Sequence, residues 1–525
     1  MQDHVIAVDV GTGSARAGVV SPEGVLLFRA EHPIILARPR DDLGEHDSED
    51  IWAACVTAIR AALEGSRLEA ARIGAIGFDA TCSLVLRRRD GSQLALRTEG
   101  NRRFDTIAWL DHRAKAEAQR CSALDHPVLR HTGKVMSPEA EIPKLMWLKT
   151  HRPDLWAEGG QFFDLADFLT WRATGSTARS LCTLTSKWTF FGHAKPGWQR
   201  DFLALAGLAD LPEKGGLPEE AHAVGAAVGT LSEAVAAELG LSTAVKVAAG
   251  MVDAYAGALG VLGAADLGAR DEAQVALIAG TSSCLIALGR EPVFGHSLWG
   301  PYYEAIFPDL WLVEAGQSAT GALLNHLLRI HAEGGEPVTA LHRRVIDRIQ
   351  ALRAEEGPAF AAKLNVLPDF HGNRSPFADP TLTGVVSGLT LDASFDGLCR
   401  LYWRACVGIA LGIRQILEVM TGGKTPLPRL HLTGGHVKNP LLVELYADAT
   451  GCELVVAEET DAVLIGTAMN AATAGDIYAS LAAAGQAMGP RGRIIAPNPA
   501  RRASYDGDYA RFLLMQRHRE ELRTL

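Results

Sequence analysis

Short apolar runs rich in β-branched residues alternate with turn clusters at the start of the chain. Residues 5–8 run into Asp9, Gly11, Thr12 and Gly13, and residues 17–20 and 25–28 then flank Ser21-Pro22-Glu23-Gly24. This predicts strand, tight turn, strand, turn, strand. The arrangement returns half a chain later, where residues 275–278 and 284–288 flank Gly280-Thr281-Ser282-Ser283. Two such passages point to an internal duplication. Between them, the apolar run 73–78 ends in Asp79-Ala80-Thr81-Cys82-Ser83, and the run 245–249 ends in Gly250-Met251-Val252-Asp253. Both predicted strands deliver polar side chains at one end.

Later in the chain the period lengthens. Leu401, Ala405, Ile409, Ile413, Ile416 and Met420 recur at helical spacing, and a short strand at 429–433 enters Gly434-Gly435. Asn439 as N-cap, Pro440 at the first helical position and Gly451 as the stop bracket one further helix. The closing segment 500–525 is mostly charged helix former, placed to dock or to fray.

Composition narrows the class without choosing the architecture. With 525 residues, 48% hydrophobic and 21% charged, the chain is globular, and its length suits two large α/β lobes as well as three or four smaller domains. The absence of a linker-like stretch favours tightly joined lobes meeting near residue 255. The 51 Lys and Arg against 61 Asp and Glu leave a net charge of −10, which argues against nucleic acid as a partner. The basic run Arg87-Arg88-Arg89, followed by Asp90 and Gly91, reads as a solvated hairpin end. Eight scattered cysteines form no C-x-x-C pair, so neither a disulfide scaffold nor a zinc site is indicated and a reducing compartment is the default. The first residues lack a basic stretch before an apolar one, and the uncharged window 273–289 is interrupted by Gly280 to Ser283, so no signal peptide or membrane span is expected. A cytoplasmic location follows.

The chemistry lies in the turns. Gly11-Thr12-Gly13 lacks the third glycine of a dinucleotide-binding turn, since Arg16 stands there and β-branched residues follow; no G-x-x-x-x-G-K-[ST] loop occurs either. What remains is a glycine-rich β-turn preceded by a carboxylate, Asp9, and seconded by the turn at Gly280. Glycines let backbone N–H groups approach phosphate oxygens, hydroxyls add donors, and a carboxylate can hold Mg²⁺ through waters. Taken together the two turns point to a nucleotide. Asp253, after a strand and at the start of an Ala/Gly-rich helix, would sit near a helix dipole that keeps it ionised, suiting a base of near-ordinary pKa, although an Asp there also suits a plain N-cap.

In order along the chain, Asp9-x-Gly-Thr-Gly-Ser14, Gly250-x-x-Asp253, Gly280-Thr-Ser-Ser and Gly434-Gly-x-x-x-Asn439 resemble the ATP-binding elements of the FGGY carbohydrate kinases. The resemblance spans residues 4–475. Trp109-Leu-Asp111-His-Arg113, Ser186-Lys187-Trp188, Val313-Glu314-Ala-Gly-Gln317-Ser318 and Asp369-Phe-His-Gly-Asn373-Arg374-Ser-Pro resemble segments of ribulokinases in the pentulose branch, and Asp79-Ala-Thr81-Cys82-Ser83 is similar to the D-ribulose enzymes. One departure is Glu141, upstream of Lys144-Leu-Met-Trp147, where the family's signature has Ser, Thr or Pro.

The resemblance implies an α/β fold: two lobes of the actin-like, ribonuclease H-like ATPase type with the active site in the cleft between them. Residues 1–255 would form the sugar-binding lobe with the first phosphate turn, and 256–525 the lobe with the second turn and the adenosine pocket. It also implies roles: Asp253 as catalytic base, Asp9 as the Mg²⁺-associated carboxylate, Thr12, Gly13 and Ser14 at the β- and γ-phosphates, and Gly280, Thr281 and Ser282 orienting the γ-phosphate. Gly434, Gly435 and Asn439 would border adenosine. Thr81, Cys82, Asp111, Lys187 and Glu314, with Asp253, would contact the sugar. His371, Asn373 and Arg374 suit either a pocket loop or an interlobe brace. The implied reaction is ATP-dependent phosphorylation of a ketopentose, foremost D-ribulose to D-ribulose 5-phosphate. Alternatives are L-ribulose, xylulose, ribitol or a catalytically silent sensor; the partners are a small-molecule sugar and ATP, without nucleic acid or membrane, and self-association is left open.

Overall fold

The computed structural model describes residues 2–265, 274–423, 429–457, 461–490 and 492–525. Its first sheet grows from the predicted strand-turn-strand passage. Strands β1 (His4–Val10), β2 (Ser14–Val20) and β3 (Leu26–Pro33) form an antiparallel meander, and β1 pairs in parallel with β4 (Ile73–Ala80), which pairs with β5 (Lys246–Ala248). Both β1 and β4 are buried along their whole length, so they read as continuous apolar runs rather than alternating ones. β3 is half exposed and carries Arg29 and Glu31, charges that blunt an edge.

The second sheet repeats this plan. Strands β6 (Gln274–Ala279), β7 (Ser283–Gly289) and β8 (Trp311–Gln317) are antiparallel neighbours, while β9 (Arg429–Thr433) runs parallel to β6 and β10 (Glu453–Ala457) parallel to β9. Each sheet has seven strands once edge pairings are included, and the same five-strand order, third-second-first-fourth-fifth, recurs in both. The duplication read from the turns is therefore present in the topology.

Helix α1 (Ser48–Ser66) covers one face of the first sheet, with Ile51, Trp52, Cys55, Ile59 and Ala62 in the core. Helix α2 (Leu181–Lys187) ends beside the interlobe cleft, and α3 (Asp253–Leu262) starts there. Helix α4 (Phe395–Met420) is the long amphipathic element expected from its period, and α5 (Pro440–Thr450) keeps its predicted bracket: Asn439 Oδ1 accepts the Leu441 N–H at 3.1 Å, and Gly451 closes the helix in the left-handed region. Helix α6 (Ala462–Ala474) lies against β1 and β4 although it is distant from them in sequence, and α3 packs on β6.

These two helices cross between the sheets. A Cβ on Gly260 would overlap the Ala462 carbonyl, and one on Gly466 would overlap the Ala256 carbonyl, so only glycine permits this approach. Val5 and Ala7 of the first sheet, Leu259 of α3, Leu464 and Ala468 of α6, and Ala276 and Ile286 of the second sheet share one buried cluster. The lobes thus meet through a continuous apolar core. Burying a leucine there contributes about 1.5–3 kcal/mol.

Residues inserted after β4 build a further core around Leu84, Leu145, Phe162, Trp188 and Trp198. The reading of Arg87 as part of a solvated hairpin end is corrected here: its side chain is 4% exposed, its guanidinium lies 4.6 Å from the Phe168 ring, and it donates to Glu49 at 2.8 Å. Packing against Phe168 and Ser48 decides this, not the local charge run; Arg89 is exposed as expected. Glu141 and Lys144, one turn apart, form a fully buried ion pair at 3.7 Å. The closing helix α7 (Pro499–Arg523) docks through Tyr505, Tyr509 and Phe512 and through two buried pairs, Arg404–Asp508 at 2.9 Å and Arg519–Asp369 at 2.5 Å. Among the described residues no cysteine is joined in a disulfide, and no helix is long and apolar enough to cross a membrane.

Candidate active site

A cavity of about 310 Å³ opens between the lobes, within the size range of small-molecule sites. The parallel strands β1 and β4 end at the same edge and deliver Thr12, Thr81 and Cys82 to it; α2 contributes Lys187 from its last turn, and α3 contributes Asp253 from its first. The second lobe adds Ser282, Cys284 and Glu314. On β7 and β8, Ile286 faces Glu314 and Cys284 faces Gly316.

Asp253 occupies the first helical position, where its Oδ1 accepts the Ala254 N–H at 2.7 Å. Burial raises its carboxyl above the ordinary value, and the Ala254 N–H and the Lys187 charge offset this only in part. The near-ordinary pKa expected from the helix dipole is therefore not what the site provides; desolvation in the cleft outweighs the dipole. Lys187 Nζ lies 3.9 Å from Glu314 Oε2, which also accepts the Tyr255 hydroxyl at 2.9 Å. Burial disfavours the Lys187 ammonium, yet the anionic surroundings that include Glu314 hold it well above its usual range. Burial pushes the Cys82 thiol up to about 12, so Cys82 acts as a neutral group at pH 7. A carboxylate, an ammonium, a second carboxylate and a hydroxyl thus converge on one water-shielded space. That set can hydrogen-bond a polyol and accept a proton from it.

Both glycine turns border this space. In the first, the Gly11 N–H donates to the Ser14 carbonyl at 3.0 Å, and Thr12 Oγ1 accepts the Trp109 indole N–H at 2.9 Å. Gly13 is exposed, and a Cβ there would meet nothing within 4 Å, so the turn leaves its backbone accessible. In the second, the Gly280 N–H donates to the Ser282 carbonyl at 2.8 Å, and Thr281 is exposed. The N–H groups of Thr320 and Ala322 brace the Thr281 carbonyl at 3.1 and 3.0 Å. Two short turns with open backbone, facing one cleft from opposite lobes, form a fitting cradle for a polyphosphate.

Beneath the first turn lies a buried acid pair. Asp9 and Asp79 are register partners on β1 and β4, and the Thr467 hydroxyl of α6 donates to Asp79. Arg16, the register partner of Asp9 on β2, pairs with Asp9 and lies 3.8 Å from Asp461. Burial pushes the Asp9 carboxyl to about 7 despite the Arg16 charge, with Asp253 and Asp461 adding to the rise; burial and then Asp9 raise Asp79 well above its ordinary value. Asp9 Oδ1 and Asp79 Oδ1 are buried without a hydrogen-bond partner. Among the described residues no group of three or more metal-ligating side chains is assembled. The donor set fits a small hard cation held through one or two carboxylates, water and phosphate oxygens, as Mg²⁺ is.

Of the residues singled out from sequence, Thr12, Thr81, Cys82, Lys187, Asp253, Ser282 and Glu314 line the cavity together. Gly13, Ser14, Gly280 and Thr281 belong to the two turns beside it, and Asp9 lies beneath the first. Asp111 is not brought to the cavity: its carboxylate is fully buried and receives the Gly44 N–H at 2.8 Å and the Arg113 guanidinium at 2.7 Å. Asn439 serves as the α5 cap, and Gly434 and Gly435 lie exposed at the end of β9, where a φ of 91° and the nearby Ala279 carbonyl require glycine at 434. Sequence reasoning gave no site role to Asp79, Arg16 or Glu139. Asp79 closes an apolar strand as Asp9 does, and Arg16 alternates with Ser14 along β2, so both carried a signal; Glu139 reaches the cavity from an irregular segment and had none.

Comparison with known proteins agrees with this architecture. The N-terminal domain of the FGGY family of carbohydrate kinases matches residues 4–260 and its C-terminal domain matches residues 275–475. A human FGGY carbohydrate kinase domain-containing protein is 40% identical over 542 residues, covering 99% of this chain and 97% of that protein. A D-ribulokinase of Saccharomyces cerevisiae is 33% identical over 514 residues, covering 90% of this chain and 72% of that protein. The solved structure of xylulose kinase from Rhodospirillum rubrum shares the fold with a TM-score of 0.82 at 24% identity, covering 99% of each chain. With both halves matched and both glycine turns facing one cleft, the chain belongs to the FGGY family of carbohydrate kinases.

Proposed function

We propose that this kinase transfers the γ-phosphoryl group of ATP to a ketopentose, foremost D-ribulose, giving D-ribulose 5-phosphate and ADP, with Asp253 as the general base. The observation that carries this reading is the convergence of Asp253, Lys187, Glu314, Thr81 and Cys82 on one cavity that Thr12 and Ser282 of the two phosphate turns also border. The similarity to a yeast D-ribulokinase, and the Asp79-Ala-Thr81-Cys82-Ser83 segment, favour D-ribulose among pentuloses. In this reading residues 1–255 supply the acceptor site and first turn, and residues 256–525 the second turn and adenosine pocket at Gly434, Gly435 and Asn439.

The acceptor hydroxyl approaches the γ-phosphorus as Asp253 takes its proton. The new bond joins this oxygen to phosphorus, the bond to the β-phosphate oxygen breaks, and ADP departs with that electron pair. Phosphoryl transfer needs positioning and charge neutralisation more than a strong base, so a carboxylate with a moderately raised pKa suits the task. Thr12, Gly13, Ser14, Thr281 and Ser282 present N–H and hydroxyl groups to the phosphates, with Gly280 shaping the second turn, and Asp9 with Asp79 would hold Mg²⁺, which neutralises phosphate charge when bound. Glu314 and Lys187 orient the sugar, and a stereoisomer that leaves them unpaired is rejected more strongly than one that loses apolar contact. Trp109, Trp299 and Tyr302 wall the cavity and limit water's access to the phosphoryl group.

ADP release measured with Mg–ATP against D-ribulose, L-ribulose, D-xylulose, L-xylulose and ribitol tests this. A clear preference for D-ribulose in kcat/KM is the expected result. Preference for another pentulose or pentitol overturns the substrate; sugar-independent ADP release, or binding without turnover, overturns the kinase mechanism.

A further inference from the structure

Arg374 is a cation in the cavity wall that the mechanism above leaves unused. Among the described residues its guanidinium has no hydrogen-bond or ion-pair partner, although it lines the same space as Asp253, Lys187 and Glu314. The segment that carries it is firmly held. Asn373 donates to Asp369 at 2.8 Å and accepts the Phe377 N–H at 3.0 Å, while Asp369 pairs with Arg519 of α7. Ser375 donates to the Ser297 carbonyl at 2.9 Å, and its hydroxyl receives the Gly316 N–H at 3.3 Å. The neighbours on either side therefore provide the brace, and Arg374 itself is left free to face the cavity.

Strand β8 explains how its side chain reaches there. Residues two apart share a strand face, so Gly316 lies next to Glu314 on the same face. Arg374 Cδ lies at ordinary van der Waals distance, 3.4 Å, from where a Cβ on Gly316 would stand, so its side chain passes over that position of the strand. Gly316 is the register partner of Cys284, so the guanidinium borders the part of the cavity that Cys284 lines, with Glu139 on the wall of the same space.

We propose that Arg374 is a specificity-determining residue that binds two neighbouring oxygens of the acceptor, those of a carbonyl and its adjacent hydroxyl. The guanidinium fork offers parallel donors to two neighbouring oxygens, which a lysine cannot match. This inference rests on the sugar-kinase reading and deepens it. It assigns the Asp369–Pro376 segment two parts, a brace at Asp369, Asn373 and Ser375 and a ligand at Arg374.

The test compares the full-length protein with Arg374→Met and Arg374→Lys, measuring kcat and KM for the preferred pentulose, KM for ATP, KM for glycerol as an acceptor lacking a carbonyl, and the thermal midpoint. A lost charged hydrogen-bond pair predicts a roughly 10- to 100-fold rise in pentulose KM for Arg374→Met, with partial rescue in Arg374→Lys. ATP KM, glycerol KM and the thermal midpoint should stay close to those of the unaltered protein. An unchanged pentulose KM overturns the inference, as does a loss confined to kcat and ATP KM, which would place Arg374 on the phosphate, or a lowered midpoint without a sugar-specific effect, which would make it a brace. Failure of the functional reading itself shows separately, as absent pentulose turnover in the unaltered protein, and the inference falls with it.

Discussion

Replacing Asp253 by Asn isolates the proposed base from the scaffold around it. The carboxylate Oδ1 that accepts the Ala254 N–H has a counterpart in the Asn carbonyl, so the first turn of α3 keeps its hydrogen bond. What disappears is the capacity to take a proton and one negative charge facing Lys187 and Glu314. General-base catalysis is worth about 10²–10⁴-fold, or roughly 2.7–5.5 kcal/mol of barrier at 1.36 kcal/mol per decade. The Asn variant should therefore lose at least about a hundredfold in kcat with the preferred pentulose, while ATP binding changes little. Because burial raises the Asp253 carboxyl, the acid limb of kcat/KM in the unaltered protein should fall above the ordinary carboxylate range, and the variant should lack that limb. Coupled ADP release from pH 4.5 to 8.5, with ATP affinity measured calorimetrically, reads both quantities. A variant retaining more than about a tenth of kcat with an unaltered pH profile would refute the role of Asp253.

Three further outcomes follow from the same geometry. Gly466→Val forces a side chain into the Ala256 carbonyl where α3 and α6 cross, and should cost at least about 1–3 kcal/mol in denaturant unfolding; an unchanged midpoint would mean the helices part freely. Asp9 and Asp79 both have raised native pKa values, so above about pH 4 the unfolded chain releases protons that the native one keeps, and stability is lost as pH rises toward 7. Asp79→Asn removes one member of the pair and should therefore gain thermal stability relative to the unaltered ligand-free protein at pH 8 but not at pH 4.5; a difference independent of pH would contradict the shared burial. Glu141→Leu leaves the Lys144 ammonium unpaired in a fully buried position and should cost about 3–5 kcal/mol, while adding Lys144→Met should recover most of it; equal losses in both variants would show that packing, not charge, dominates there.

Much of this molecule was legible in local sequence because its determinants are local. The strands at 4–10, 73–80 and 274–289 follow from apolar runs ended by glycine turns, and α5 follows from Asn439, Pro440 and Gly451. The two glycine turns were visible for the same reason, since a tight turn that leaves its backbone open calls for glycine whatever surrounds it. Asp253 stood out by its place at a helix start and by family resemblance, Lys187 by the resemblance alone, and the fold brought them to one cavity.

Tertiary packing decided the rest. Arg87 sits in a charge run yet is buried because Phe168, Asp105 and Glu49 close around it. Asp111 resembles a sugar ligand but is spent on Gly44 and Arg113, whereas Glu139 and Arg374, more than 200 residues apart, face one cavity. The direction of the Asp253 pKa likewise turned on the cleft: a helix start alone favours the charged form, and desolvation between two lobes reverses the balance. Local sequence determines dihedral preference, turn chemistry and which face is apolar. Which distant side chains share a desolvated space depends on how α3 and α6 cross, and no short window of sequence contains that contact.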